Sequence, residues 1–197
     1  MGKLTVARHL ASCLRGGYDV KVVQNHLLID PIEAICSRDD PAYQQLRREL
    51  RQVILRAVPS FPDTMFIFTD FQSDNTLGRS VCAEYREAAR VRSSAFIPIT
   101  LTCAVEENVR RAVSAERSVV STNKLTDENL VADICKRCTP YTPDVPEKLV
   151  IDTTSMEPDN VAARIAAHIN GLPPFSHVSE SAGKFIAHKS QLNLLWS

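Results

Sequence analysis

The sequence predicts an α/β fold in which a mainly parallel sheet is covered by helices. Two observations carry this. Three apolar runs, Met65–Thr69, Phe96–Leu101 and Leu149–Ile151, lack the polar/apolar alternation of a half-exposed strand, so each reads as a strand buried on both faces. Between them stand segments with apolar residues at helical spacing, and strands separated by helices pair in parallel.

The elements follow in order. From Lys3 to Leu14, Val6, Leu10 and Cys13/Leu14 recur at helical spacing with Ala7 and Ala11 beside them, and Gly16-Gly17 ends the helix. A short strand is expected at Val20–Val23. The apolar piece Leu27-Leu28-Ile29 then ends at Asp30-Pro31. Asp40-Pro41 reads as a cap and first helical residue of a helix reaching Val58, with Leu46, Leu50, Val53, Ile54 and Ala57 as its inner face. A helix over Thr76–Arg92 turns Val81, Cys82, Tyr85, Ala88 and Ala89 inward. In the strand Phe96–Leu101, Pro98 lacks a ladder donor, which places it near a bulge or strand end.

Further helices are expected at Val105–Val113 and after Thr126, which caps one with Leu125 packing on Leu130 as a staple. The last begins at Pro158, presents Val161, Ala162, Ile165, Ala166 and Ile169, and stops at Asn170-Gly171. These patterns assign residues 1–170 to one domain and leave 171–197 as a tail without a defined element.

Composition excludes several classes of function. The 197 residues carry 23 basic and 23 acidic side chains, so no net field recruits nucleic acid or an anionic membrane. No stretch approaches the about 20 apolar residues of a membrane helix. Lys3, Arg8 and His9 interrupt any secretory apolar core. A cytoplasmic protein is expected. The six cysteines are scattered; Cys135-Lys136-Arg137-Cys138 has metal-site spacing but lacks a second pair, so packing is the expected role.

The chemistry concentrates at the start. Gly2-Lys3-Leu4-Thr5 stands before the first helix, and a glycine-lysine-hydroxyl end of a phosphate loop uses backbone N–H groups, the lysine charge and the helix N-terminus to hold phosphates. From this loop onward the chain resembles the P-loop kinase superfamily, in particular ATPase-like proteins near gluconate, shikimate and adenylate kinases. The matching segments are Gly2–Val6, Asn25–Asp30, Phe68-Thr69-Asp70, Phe96–Leu101, Glu106–Arg111 with Glu116-Arg117, Lys124–Asp127 and Val150–Thr154.

The resemblance implies a three-layer P-loop NTPase fold, with ATP and Mg²⁺ bound and a phosphoryl group passed to a small hydroxylated acceptor. It implies nucleotide contacts from Gly2, Lys3, Leu4, Thr5, Arg111 and Arg117, with Arg111 and Arg117 in a lid. Lys3, Asp30 and Arg117 become the catalytic candidates, Thr5 and Asp70 the Mg²⁺ ligands, and Asn25, His26 and Asp30 the acceptor contacts. The bland readings are a turn aspartate for Asp30, a loop acid for Asp70 (with Asp74 as competitor) and a solvated helix face for Arg110.

The sequence also departs from the family. Leu4 stands where the common loop has its first hydroxyl residue, and the strand and first half of the loop do not precede Gly2. The chain is therefore expected to be truncated at its N-terminus and to lack the first, central strand. Two other functions stay open: a degenerate kinase-like protein that binds nucleotide without catalysis, and an interaction domain with no nucleotide site.

Overall fold

The computed structural model describes residues 2–112, 128–173 and 192–196. Its elements run α1 (Lys3–Leu14), β1 (Asp19–Gln24), α2 (His26–Glu33) and α3 (Tyr43–Ala57), with a 3₁₀ turn at Val58–Ser60. Next come β2 (Thr64–Thr69), α4 (Thr76–Val91), β3 (Ala95–Thr102), α5 (Val105–Ala112) and α6 (Glu128–Arg137). The chain closes with β4 (Leu149–Asp152), α7 (Pro158–Gly171) and β5 (Leu192–Trp196).

The five strands form one sheet of order β1-β2-β5-β3-β4, every neighbouring pair parallel. The parallel α/β architecture is as the sequence predicts. On one face of the sheet, Val6, Leu10 and Leu14 of α1 and Val161, Ile165 and Ile169 of α7 pack with Met65, Ile67, Ile97 and Ile99. On the other, Leu55, Val58, Val81 and Tyr85 pack with Phe66, Phe68 and Phe96. Successive residues of β2 thus enter opposite cores, which is why its sequence shows no alternation.

The centre of the sheet corrects one expectation. The slot between β2 and β3 is filled by β5, from the segment read as a tail. Phe66 pairs with Asn193 and Thr69 with Trp196 on one side; Ala95 pairs with Leu192 and Ile99 with Trp196 on the other. A parallel pairing of distant segments has no local turn to announce it.

Other corrections are smaller. Leu27-Leu28-Ile29 lies in α2, which runs on through Asp30-Pro31 where the apolar piece is expected to end; Leu28 and Ile32, one turn apart, are buried and hold the helix. Asp40 does not start α3: its carboxylate accepts the Ala42 N–H in a turn, and the helix begins at Tyr43. The buried face of α3 is Tyr43, Arg51 and Leu55, while Val53 is exposed. Pro98 lies inside β3, one residue before pairing with β4 begins at Ile99, so its missing N–H removes no rung on that side. Val113 and the expected cap Thr126 with its staple lie outside the described residues.

Among the described residues, no helix is long and apolar enough to cross a membrane. The cysteines are free, and no cluster of three metal-ligating side chains is found among the described residues.

Deleting residues 192–197 leaves the facing edges of β2 and β3 without hydrogen-bond partners. The shortened chain is expected to lose its cooperative thermal transition by circular dichroism and to elute as aggregate, as buried unpaired strand edges do.

Candidate functional site

The carboxyl edge of a parallel sheet, where strands run out into loops, is where open α/β folds bind ligands. Here β1 runs out into Asn25 and α2, and β2 into Asp70 and the Phe71–Asn75 loop. α1 brings its N-terminus to the same edge: Lys3 Nζ stands 5.1 Å from the centre of the Phe71 ring. Gly2 is the residue before the helix, and its carbonyl accepts the Val6 N–H at 3.0 Å. In the first turn, Leu4 is half-buried and Thr5 exposed.

Asp70 is 2% exposed. Its Oδ1 accepts the Phe71 N–H at 2.8 Å; its Oδ2 accepts Gln72 Nε2 at 2.7 Å and the Tyr85 hydroxyl at 3.2 Å. Burial raises its pKa, opposed by the hydrogen bonds from Phe71 and Gln72 and by the charges of Arg47 and Arg51. Tyr85 is in turn pushed well above its ordinary value by burial and by the Asp70 charge. Thr5 and Asp70, expected together at Mg²⁺, are therefore differently placed. Thr5 faces solvent, while Asp70 is enclosed and directed to protein donors, so these two residues do not make a ready Mg²⁺ site.

The acceptor candidates sit together at the start of α2. His26 Nδ1 and Asp30 Oδ1 are 2.9 Å apart, one helical turn from each other, and both are partly exposed. Asn25 Oδ1 is buried with no donor among the described residues. Asp30 is thus a helical residue paired with His26, not a turn aspartate.

Arg111 is tied elsewhere. It meets Glu107 at 2.6 Å and donates to the carbonyls of Thr153 and Thr154 at 3.0 and 3.1 Å, anchoring α5 to the loop after β4. Arg110 and Arg111 together draw the Glu107 pKa down to about 2. Arg117 and Lys124 lie outside the described residues.

Sequence reading missed a basic wall beside this edge. Tyr43, Arg47, Arg51 and Leu55 are spaced four apart along α3, and Arg51 is only 5% exposed. Its Nε meets Glu84 Oε2 of α4 at 2.8 Å. Together with Gln44, Phe71, Gln72, Ser73 and Asn75, Arg47 and Arg51 line a cleft of about 150 Å³. The available signal was Tyr43 and Leu55 flanking two arginines on one helical stripe, which an apolar-only reading passes over.

The loop is fixed by the Thr139–Tyr141 segment and by the start of α4. Ser73 bridges Pro140, the Asp74 N–H donates to the Thr139 carbonyl and the Tyr141 N–H to the Gln72 carbonyl. Asn75 caps α4 by accepting the Gly78 N–H at 2.8 Å. A Cβ on residue 78 would stand 2.1 Å from the Ser73 carbonyl oxygen, so only glycine permits this closure.

No protein-family model matches the sequence, and no curated protein matches it. Among solved structures, the chain is similar to a protein of Chloroflexus aurantiacus J-10-fl whose crystal structure is described as that of a "putative kinase". The TM-score is 0.56 at 13% identity, over 85% of this chain and 91% of that one. The likeness is one of fold. It supports a kinase-like α/β architecture and, at that identity, transfers no residue roles.

Two outcomes follow. Gly78→Ala is expected to destabilise the protein by about 1–3 kcal/mol in urea unfolding, the range for forced overpacking. For Asp70, the raised folded-state pKa means that the native state holds the proton more tightly. Its contribution is then fully present below the unfolded value and is lost as pH rises through the folded one. Stability of the wild type relative to Asp70→Asn should fall as pH rises from about 4 towards neutrality; a difference that is flat or rises contradicts this.

Proposed function

We propose that the chain is a nucleotide-binding domain of the P-loop kinase type, which transfers the terminal phosphoryl group of ATP to a small hydroxylated acceptor. The observation that carries this reading is Gly2-Lys3 at the N-terminus of α1, set beside the exit of β2 by the contact of Lys3 with Phe71. A helix start offers N–H groups and the positive end of its dipole to phosphate oxygens. The sheet order is compatible with the reading, because β2 and β3 flank a central parallel strand and open α/β sheets bind ligands at their carboxyl edge.

In this proposal Gly2, Lys3, Leu4 and Thr5 surround the phosphates with main-chain donors, and Lys3 offsets the charge of the group in transfer. Phosphoryl transfer asks chiefly for such positioning and electrostatic stabilisation. The acceptor lies towards α2, where Asp30, held by His26, receives or orients the hydroxyl proton, and Asn25 contacts the acceptor. Arg111 and Arg117 are proposed as lid residues. Mg²⁺ enters with ATP; of the protein groups expected to hold it, the Thr5 hydroxyl is the accessible one.

A second reading, nucleotide binding without transfer, draws on Leu4 in the hydroxyl position and on the enclosure of Asp70. Binding and turnover separate the two.

With the full chain, Mg·ATP is expected to raise the melting temperature in a saturable way, and Lys3→Ala to weaken binding at least tenfold, about 1.4 kcal/mol. Absence of any ATP-dependent shift would overturn both readings. Binding without phosphoryl transfer to any of a panel of polyols and hydroxy acids would select the second.

A further inference from the structure

A lysine at a helix start is an uncertain partner for phosphate unless something holds it. Its four-carbon stem carries about 2 kcal/mol of rotamer entropy, which binding would have to overcome. The first turn of α1 contains no acidic side chain to order Lys3. The ammonium does meet a ring. Its Nζ lies 5.1 Å from the centre of Phe71, inside the about 6 Å over which an aromatic face attracts a cation.

Phe71 is itself held. Its N–H donates to Asp70 Oδ1 at 2.8 Å, and the other oxygen of that enclosed carboxylate accepts from Gln72 and Tyr85. On the next residue, the Gln72 carbonyl accepts the Tyr141 N–H at 2.8 Å. The ring therefore stands on backbone fixed before and after it, and the support runs from β2 through Asp70 and Phe71 to Lys3. Among the described residues, Phe71 belongs to neither core that packs on the sheet. Packing alone does not account for a large ring at this place.

We propose that Phe71 is a positioning residue, whose ring keeps the Lys3 ammonium at the phosphate end of α1 before nucleotide arrives. The proposal rests on the kinase reading and adds to it a residue that acts through Lys3. A ring face takes one side of an ammonium that has three N–H donors, so the ring contact and a phosphate contact are compatible. A side chain already ordered in the free protein loses less freedom on binding, and the ligand is held more tightly for it. Asp70 then contributes at one remove, by fixing the main chain that carries the ring.

The test is isothermal titration of Mg·ATP into the full chain. Phe71→Leu should weaken binding about three- to tenfold, the scale of one cation–π contact. Phe71→Tyr should bind as the wild type does, and Phe71→Trp as tightly or more so, because indole is the strongest ring partner for a cation. With Lys3→Ala already in place, Phe71→Leu should add nothing, whereas damage to the loop would add its full effect in either background. In ¹³C-lysine-labelled protein without nucleotide, the Lys3 ε-methylene signal, assigned by its absence from Lys3→Ala, should lie upfield through the ring current. It should return to the ordinary lysine position in Phe71→Leu. The proposal alone is overturned if the wild type binds ATP and Phe71→Leu binds it equally well, if Phe71→Trp is as weak as the leucine variant, or if the two losses add. An unshifted Lys3 signal overturns it too. Absence of ATP binding by the wild type removes the kinase reading, and the positioning role with it.

Discussion

Everything in this molecule depends on the slot between β2 and β3 being filled. Both strands are buried by helices on both faces, so their inner edges have no water to bond and must find a strand. β5 satisfies both edges at once, with Trp196 registered against Thr69 and Ile99 together. That pairing holds the two halves of the sheet, β1-β2 and β3-β4, as one surface, on which α1 and α7 pack from one side and α3 and α4 from the other. The candidate site inherits its geometry from it, because the loop after β2 and the start of α1 meet at the edge this strand closes.

The second constraint is electrostatic. Asp70 is enclosed at the end of β2, and the donors and positive charge around it offset only part of the loss of water, so its pKa stays raised. Phe71, Gln72 and Tyr85 supply the donors, while Arg47 and Arg51 supply the field. The same two arginines wall the neighbouring cleft. Glu84, shared by Arg48 and Arg51, balances one charge and leaves the Arg47 Nε without an acceptor among the described residues. Asp70 therefore looks inward, as part of the support of the loop, and this separates it from Thr5.

Much of the framework was legible in the chain. The inner stripes of α1, α4 and α7 lie where helical spacing puts them, and Met65–Thr69 is a strand buried on both sides. At the site, Gly2-Lys3 at the head of a helix was read correctly as to place. Asn25, His26 and Asp30 do gather beyond β1, although Asp30 reaches that position on a helix, because burial of Leu28 and Ile32 outweighs the proline after it. The stripe of α3 was misread, since a buried arginine such as Arg51 looks like a surface residue until its partner Glu84 on α4 is known.

The sequence by itself determined the alternation of buried strands and amphipathic helices, because burial on one face repeats every few residues and is written locally. It also determined the glycine-lysine head of α1. Only the tertiary structure decided that residues 192–196 form the central strand, that Asp70 is enclosed, and that Arg47 and Arg51 face a cleft. The reason is separation along the chain. Phe66 meets Asn193, and Arg51 meets Glu84. Contacts of this kind leave no period in the sequence, and they exist only once the sheet has brought their elements together.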